Sequence, residues 1–345
     1  MFRLIIISLL LFFQAATASL YAQFRPDILG EGFEQLTIEQ PDDYDGQVVT
    51  TVVRHTPIEG VTRAVLYVHG YNDYFFQREM AEQFIDQGWQ FYAVDLRRYG
   101  RSIRSWQTPY KVYEIEEYFA DIDAAIDVMQ AQGVEQIVLM AHSTGGLTTP
   151  LYCHANRENL RVDALILNSP FFDMNLGAGL FENLGVPIVS TFGALFRDCV
   201  VQGGTDSPGG YGRSLHVDYD GEWSFDTSIK RLESLPITTG WIRAIHLAQK
   251  ELQRGLEIPC PTLVLYSDKS VSGEYSGEYM HGDSVLDVAD IAKYAAGLGP
   301  NVTQIEVAGG MHDLVLSAPE VRHPLYLTLF EWLADRPGSD SVGRR

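Results

Sequence analysis

The 345-residue sequence is poor in basic residues and in cysteine. It contains 25 Lys and Arg against 45 Asp and Glu, which gives a formal net charge of −20. Nucleic acids and anionic lipid surfaces are both bound through clustered Lys and Arg, so neither is expected as a partner. Three cysteines are too few for a framework of several disulfides. We expect buried free thiols, and the alternative is a single disulfide bond between two of the three.

Long apolar runs are also missing, apart from a short one at the N-terminus. Arg3 precedes residues 4–13 (LIIISLLLFF), and small residues follow. Ten residues are too few to span a bilayer as a helix. A basic residue, a short apolar core and small residues are typical of a secretory signal peptide, cleaved here after Ala22 or Ala18. We therefore predict a signal peptide at residues 1–22, a secreted or periplasmic protein and no stable membrane span.

The sequence lacks the motifs of metal sites and of dinucleotide-binding sites. Cys and His do not cluster with metal-ligand spacing, and no glycine-rich dinucleotide motif follows a predicted strand. We therefore expect no metal and no other cofactor. The remaining composition, with 46% apolar and 20% charged residues, is ordinary for a folded domain.

Short apolar runs alternate with helical periodicity along most of the chain. Such runs suit strands that are buried on both faces of a mainly parallel sheet. The pattern predicts strands at 47–53, 64–68, 89–94, 137–140, 164–167, 260–266 and 303–307, and helices at 75–87, 112–132, 239–254, 289–298 and 324–334. The alternation indicates an α/β fold with a doubly wound, mainly parallel sheet.

The alternation is interrupted at residues 171–255, a stretch rich in glycine and aromatic residues. About 80 residues without structure would be unusual inside a compact domain. Because the stretch lies between two strands and starts where a strand ends, it is predicted to form a cap over a site at that edge. The core then comprises residues 23–170 and 256–335, and the polar residues 336–345 form a flexible tail.

Residues 140–146 (MAHSTGG) directly follow the predicted strand 137–140. A strand, a sharp turn and a glycine-containing helix start are typical of a nucleophile elbow, whose usual pattern G-x-S-x-G exposes a serine. Ala141 replaces the first glycine and adds only one methyl group, which the turn can tolerate. Ser143 is therefore the candidate nucleophile, and the alternative is a serine that caps a helix.

A serine nucleophile needs a base, an acid that orients the base and hydrogen-bond donors for the oxyanion. His312 follows the last predicted strand in a glycine-containing loop and is the candidate base; the alternative is a solvated loop histidine. His142 adjoins the serine and is expected to point away from it. The expected oxyanion donors are the backbone N–H groups of Thr144 and of Tyr71, which lies just after strand 64–68.

Two aspartates compete for the role of the orienting acid. Asp268 directly follows strand 260–266, where an acid is often found, whereas Asp283 comes after a further loop and precedes the predicted helix 289–298. The residues by themselves favour neither. Either choice gives the chain order Ser, Asp, His.

Five motifs occur along the chain, at 69–73 (HGYND), 95–102 (DLRRYGRS), 142–146 (HSTGG), 282–287 (GDSVLD) and 310–313 (GMHD). In this order they resemble the α/β-hydrolase superfamily, and within it the monoacylglycerol lipase, lysophospholipase and serine aminopeptidase-like group. The resemblance extends over about residues 47–333 and implies an α/β-hydrolase fold with an inserted cap. Members of the group have, in chain order, a strand, the pattern Gly-x-x-Asp-x-x-x-Asp, a helix, a strand and the catalytic histidine. Asp283 and Asp287 match the Asp-x-x-x-Asp pair of that pattern. The resemblance therefore favours Asp283, with Asp268 as the alternative acid.

These features together predict a secreted serine hydrolase that cleaves carboxylic esters through an acyl-enzyme on Ser143. The aromatic residues of 171–255 indicate an apolar acyl group or lipid as the substrate. The alternative function is a serine exopeptidase for short peptides, because three acids of that stretch are available to bind a free amine: Glu222, Asp226 and Glu233. A more remote alternative is a non-catalytic binding protein on the same fold.

Overall fold

The computed structural model describes residues 23–175 and 185–335. The predicted signal peptide (1–22) and tail (336–345) lie outside the described residues, as do residues 176–184 of the predicted cap.

The described residues form strands that we number in chain order: β1 (Arg25–Pro26), β2 (Phe33–Asp43), β3 (Gly46–His55), β4 (Arg63–Val68), β5 (Gln90–Asp95), β6 (Gln136–His142), β7 (Ala164–Asn168), β8 (Val200–Gln202), β9 (Ile237–Thr238), β10 (Thr262–Ser267) and β11 (Val302–Val307). Nine of them form one sheet in the order β1-β2-β3-β5-β4-β6-β7-β10-β11. The pairs from β5 to β11 are parallel, and β1, β2 and β3 add an antiparallel edge. The predicted α/β class with a mainly parallel sheet is confirmed.

The helices are α1 (Arg78–Asp86), α2 (Phe119–Ala131), α3 (Gly145–Ala155), α4 (Val186–Gly193), α5 (Gly210–Leu215), α6 (Thr239–Gln253), α7 (Val288–Ala295) and α8 (Pro319–Ala334). Within the two described ranges, no helix is both long and apolar enough to cross a membrane.

Both faces of the parallel strands are buried, as their continuous apolar sequence requires. In β4, Leu66 and Val68 belong to one hydrophobic cluster, while Val65 and Tyr67 belong to a second cluster on the opposite face. Successive side chains of a strand point to opposite faces, so an apolar run fills both clusters at once. Because the strand itself carries apolar side chains on both faces, the polar residues of this part of the chain come after it, at the carboxyl end of the strand.

Two helices begin at positions that differ from the prediction. Helix α1 starts at Arg78 and not at residue 75, because the backbone of Gln77 has a ψ of 69° and is not helical. The N–H groups of Phe75 and Phe76, which precede the helix, donate to the side chains of Asp95 and Gln77. Helix α8 starts earlier than predicted, at Pro319, which occupies the first turn where a missing N–H costs nothing.

Strands β1 and β2 were not predicted. Strand β2 (FEQLTIEQPDD) mixes polar and apolar residues and is only partly buried, because it covers β3 near the edge of the sheet. Its sequence therefore lacks the continuous apolar run that marks the central strands.

Residues 171–255 lie within the connection from β7 to β10, which are direct neighbours in the sheet. The described part of this connection contains α4, α5, α6 and a small antiparallel pair of β8 with β9. Helix α4 packs against α6, where Gly193 lies so close to Thr239 that an added Cβ would be 2.5 Å from its carbonyl oxygen. This connecting region, residues 171–255, is called the cap below.

Candidate active site

Ser143 lies in the sharp turn between β6 and α3. Its φ of 52° is in the left-handed region, which a residue other than glycine rarely adopts. The turn is held by two backbone hydrogen bonds: Ser143 N donates to Asn168 O at 3.1 Å, and Phe171 N donates to Ser143 O at 3.0 Å. These bonds tie the turn to the end of β7, so Ser143 is presented at the carboxyl edge of the sheet.

Gly145 and Gly146 allow α3 to approach the sheet closely. An added Cβ at Gly145 would lie 2.5 Å from His69 O, and one at Gly146 would lie 2.7 Å from Cβ of Pro170. Ala141, in contrast, is a fully buried residue of β6, and its single methyl group fits inside the core. The positions that exclude a side chain are therefore Gly145 and Gly146, which follow the serine, whereas the position of Ala141 before the serine accommodates a methyl group.

His312 lies beside Ser143, with Nε2 3.1 Å from Ser143 Oγ. Its loop is fixed through the next residue, Asp313, whose carboxylate accepts hydrogen bonds from Asn168 Nδ2 at 2.7 Å and Gln77 Nε2 at 3.1 Å. Both His312 and Asp313 are buried. The imidazole is therefore held toward the serine hydroxyl, which can donate its proton to Nε2.

Asp283 lies on the other side of the same imidazole, with Oδ2 2.9 Å from His312 Nδ1. Its second oxygen, Oδ1, accepts hydrogen bonds from the N–H groups of Val285 and Leu286, both at 2.8 Å. The carboxylate is fully buried. A carboxylate fixed in this way keeps the Nδ1 proton on His312 and leaves Nε2 free to accept one.

The loop between β10 and Asp283 leaves the sheet and returns to the same strand end. Asp283 N donates to Lys269 O at 2.9 Å, and Val271 N donates to Asp283 O at 2.7 Å. The loop therefore adds residues along the chain without moving Asp283 away from β10.

Asp268 has a different environment from Asp283. Its side chain is exposed and accepts a hydrogen bond from Gly309 N at 2.9 Å. It therefore helps to hold the loop after β11, whereas the carboxylate next to His312 is that of Asp283.

The N–H groups of Tyr71 and Thr144 lie on the two segments that border Ser143. Thr144 directly follows the serine, and the loop of Tyr71 passes so close that an added Cβ at Gly70 would be 3.0 Å from Ser143 Cβ. Neither N–H donates to another group in the described part of the chain. Both are thus available to a ligand oxygen at Ser143.

The prediction that His142 points away from the serine is wrong. Its buried ring lines the same cavity as Ser143 and packs 4.8 Å from the ring of His312, centroid to centroid. Its Nδ1 lies 3.8 Å from Asp73 Oδ2 and 4.0 Å from Asp313 Oδ2. Burial disfavours the charged ring, but the two carboxylates outweigh burial and raise the pKa of His142 above its ordinary value.

Asp73, Asp313 and His142 form the one group in the described residues that brings three metal-ligand atoms within 4.8 Å of one another. Three of the four carboxylate oxygens have partners: Lys230 Nζ lies 2.9 Å from Asp73 Oδ1, and both oxygens of Asp313 accept amide hydrogens. Asp73 Oδ2 has no hydrogen-bond partner among the described residues. Burial alone would raise the pKa of Asp73, but Lys230 and His142 lower it to about 2. The group is therefore a buried polar network around His142, in which Lys230 and two amide groups already occupy most of the carboxylate oxygens.

A cavity of about 300 Å³ opens beside Ser143 and His312. Its walls are the loop after β4 and the cap, which contributes mainly apolar and aromatic side chains, including Tyr211, Leu215 and Phe225. The Tyr211 ring lies edge-on to His312, 5.4 Å from it between centroids. The cap thus forms one side of the site.

The three cap acids that the sequence makes available to a free amine lie in different places. Glu222 pairs with Arg322 at 2.5 Å, and Asp226 accepts hydrogen bonds from Ser228 of its own turn. Glu233 lines the cavity.

Residues 60–319 match the family described as serine aminopeptidase, S33. The chain belongs to this family. Among curated relatives, the prolyl endopeptidase-like protein of Rattus norvegicus is 30% identical over 139 residues, which cover 38% of this chain and 19% of that protein. The AB hydrolase superfamily protein YisY of Bacillus subtilis (strain 168) is 34% identical over 112 residues, covering 32% of this chain and 38% of YisY. The chain thus matches only a minor part of these relatives' lengths.

Solved structures of other α/β hydrolases share the fold of this S33 chain. The monoacylglycerol lipase of Paleococcus ferrophilus aligns over 87% of this chain and 98% of its own, with a TM-score of 0.55 and 18% identity. A soluble variant of monoglyceride lipase from Saccharomyces cerevisiae, solved with a substrate analog, aligns over 91% and 94%, with a TM-score of 0.57 and 14% identity. The TM-scores and the coverage show a common fold. Together with the S33 family match, they confirm the predicted superfamily and group.

Sequence reasoning missed several residues of the site. Asp313 belongs to the motif at 310–313 and could have been singled out as the neighbour of His312. Lys230 and Tyr211 lie in the cap and carry no local signal, because nothing in their flanking sequence indicates that they approach Ser143.

Proposed function

We propose that this S33 family member is a serine hydrolase that cleaves carboxylic esters through an acyl-enzyme on Ser143. The observation that carries the proposal is the chain of contacts from Ser143 Oγ to His312 Nε2 (3.1 Å) and from His312 Nδ1 to Asp283 Oδ2 (2.9 Å). Such a chain lets a neutral imidazole take the hydroxyl proton while the carboxylate stabilises the imidazolium that results.

In acylation, Ser143 Oγ attacks the ester carbonyl carbon while its proton moves to His312 Nε2. The carbonyl oxygen becomes an oxyanion and accepts hydrogen bonds from the N–H groups of Tyr71 and Thr144. The bond from the carbonyl carbon to the alcohol oxygen then breaks, and the departing alcohol takes the proton from His312.

In deacylation, a water molecule repeats the attack on the acyl-enzyme. Its proton passes to His312 Nε2 and its oxygen bonds to the acyl carbon, which forms a second oxyanion. The bond to Ser143 Oγ breaks, Ser143 regains its proton from His312, and the carboxylic acid leaves. Asp283 stays ionised throughout both steps.

The cavity supports an apolar, lipase-like or lysophospholipase-like substrate, with an acyl chain of short or medium length. Apolar and aromatic cap residues line one side of the cavity at Ser143, although Lys230, Arg231 and Glu233 also line it. The volume of about 300 Å³ lies at the lower end of the usual range for small-molecule sites. We therefore expect a small-molecule ester or lipid in which only part of a long acyl chain would be enclosed.

A fluorophosphonate probe and an ester panel test the proposal. We expect the probe to label the wild-type protein and not Ser143→Ala. The panel varies the acyl chain from two to about twelve carbons and compares simple esters with monoacylglycerols and lysophospholipids. A wild-type protein that is neither labelled nor active on any ester would instead be a binding protein on this fold.

A serine exopeptidase is the second candidate, and the position of Glu233 favours it. This carboxylate lines the cavity, within which it can bind the free amine of a short peptide. Aminoacyl amides with a free and with an acetylated amine, assayed on wild type and Glu233→Gln, separate the two functions. A peptidase loses activity on acetylation and in the variant, whereas an esterase is inactive on both amides.

We further propose that the protein is exported with removal of its N-terminal segment. The support is the basic Arg3, the apolar residues 4–13 and the small residues that follow them. Mass spectrometry of the full-length product expressed in a bacterium tests this, with a chain lacking residues 4–13 as the control. A mature N-terminus at residue 23 or 19 outside the cytoplasm is expected, and an uncleaved cytoplasmic product contradicts export.

A further inference from the structure

One segment of the cap, residues 225–231, lies directly on the loop that follows β4. Asn72 Oδ1 accepts a hydrogen bond from Arg231 N at 3.0 Å, and Asn72 Nδ2 donates to Arg231 O at 2.7 Å. Tyr74 Oη accepts a hydrogen bond from Asp226 N at 3.0 Å. The cap therefore holds the loop immediately after Tyr71, a candidate oxyanion donor.

Between these contacts, Lys230 makes an ion pair with Asp73. Its Nζ lies 2.9 Å from Asp73 Oδ1, and both side chains are buried, with exposed fractions of 8% and 1%. The ammonium also lies within 6 Å of the ring centroids of Phe76, Tyr211 and Phe225. Removing one partner of such a desolvated pair is costly, because the other charge stays buried without compensation.

Hydrogen bonds within residues 225–231 hold Lys230 in its inward orientation. Asp226 accepts hydrogen bonds from Ser228 N at 2.9 Å and Ser228 Oγ at 2.6 Å. The N–H groups of Ile229 and Lys230 both donate to Asp226 O at 3.0 Å. This tight turn directs Lys230 inward while the neighbouring Arg231 side chain stays exposed.

The loop that Lys230 holds also borders the nucleophile. Gly70 lies against Ser143, and Asn72 adopts a φ of 51°, a left-handed conformation that few residues occupy without support. Tyr71, which lies between them, can direct its N–H toward an oxyanion only while both neighbours keep their places. An oxyanion donor acts through its position, so a small displacement removes much of its effect.

We propose that Lys230 is a positioning residue: by holding Asp73, it fixes the loop so that the Tyr71 N–H faces the oxyanion formed at Ser143. The oxyanion site is then complete only while residues 225–231 of the cap are seated on the loop. This inference rests on the proposed serine mechanism, and it gives the cap a role in rate as well as in substrate choice.

A thionoester comparison tests the inference. Replacing the carbonyl oxygen of p-nitrophenyl acetate by sulfur weakens the hydrogen bonds that the oxyanion site can make, so the ratio of kcat/KM for the oxygen ester to that for the thionoester reports on that site. We expect Lys230→Met to lower kcat for the oxygen ester on the order of 10²-fold with KM nearly unchanged. The thionoester rate should fall much less, so the ratio decreases. Lys230→Arg keeps the positive charge and should therefore have a ratio between those of Lys230→Met and wild type.

Lys250 offers a matched control, because it is an exposed lysine on α6 and Lys250→Met removes the same charge from the chain. This variant should keep the wild-type ratio. Asn72→Gly provides a second route if Lys230→Met does not fold: glycine accepts the left-handed φ, while the two hydrogen bonds to Arg231 are lost. We expect it to decrease the ratio as well.

The outcomes separate the inference from the proposed function. If Lys230→Met or Asn72→Gly lowers both rates equally and keeps the ratio, the inference is wrong while the serine mechanism stands. If wild type neither hydrolyses the oxygen ester nor reacts with the fluorophosphonate probe, both are wrong.

Discussion

Asp283 Oδ2 lies 2.9 Å from Nδ1 of His312, on the opposite side of the imidazole from Ser143. Asp268 is nearer to the end of β10 along the chain, but its side chain is exposed and binds Gly309 N instead. The backbone bonds between Asp283 and residues 269 and 271 explain the difference, since they return the chain to the same strand end after the loop. Replacing each of the two aspartates is therefore expected to have a different effect on catalysis.

Asp283→Asn is expected to lower kcat for ester hydrolysis by a factor on the order of 10⁴, because an amide no longer keeps the Nδ1 proton in place or stabilises the imidazolium. Steady-state kinetics on a p-nitrophenyl ester measure the effect. Asp268→Asn is the control and should change kcat less than about threefold, since the amide oxygen can still accept the hydrogen bond from Gly309. The reverse result would assign the acid to Asp268.

Gly145→Ala is expected to destabilise the protein by about 1–3 kcal/mol and to reduce kcat. The added Cβ would lie 2.5 Å from His69 O and 2.6 Å from Val68 O, so the end of β4 and the loop of Tyr71 would have to move. Urea unfolding and ester kinetics measure the two effects. Gly277→Ala, where no atom lies within 4 Å of the added Cβ, should leave both unchanged. An unchanged Gly145→Ala would show that α3 approaches the sheet less closely.

The sequence was sufficient for the parts of this molecule that local patterns determine. Continuous apolar runs marked the central strands because both faces of the sheet are buried, and the turn at Ser143 was visible because its glycines follow a strand directly. The mixed sequence of β2 gave no such signal, since this strand lies near the edge of the sheet and is buried only in part.

Contacts between distant segments were beyond the reach of local patterns. Lys230 approaches Asp73 across more than 150 residues, and only the path of the cap brings them together. The orientation of His142 was mispredicted for the same reason, because the carboxylates that surround it, Asp73 and Asp313, come from two other loops.

The three cysteines are expected to react differently with a thiol reagent. Cys199 is exposed, while Cys153 and Cys260 are buried, and all three are free. Hydrogen bonding to the Cys260 thiol and burial raise the pKa of Cys153 well above its ordinary value, which suppresses its thiolate. Ellman's reagent should therefore titrate one thiol in the native protein and three in urea. A single thiol in urea would instead reveal a disulfide between Cys153 and Cys260.

The stability that Lys230 confers should depend on pH in one direction. Lys230 helps to lower the pKa of Asp73 from 3.8 to about 2 in the folded state, so the ion pair stabilises the fold fully above about pH 4. This contribution is lost as the pH falls toward 2. The free energy of unfolding of wild type should exceed that of Lys230→Met by about 3–5 kcal/mol near pH 7, because the variant leaves Asp73 buried without its ammonium partner, and the difference should shrink below about pH 4. Urea unfolding at several pH values measures it, with Lys250→Met as a control that differs little from wild type throughout. A difference that stays constant with pH would mean that Lys230 stabilises the fold by packing and not through the charge of Asp73.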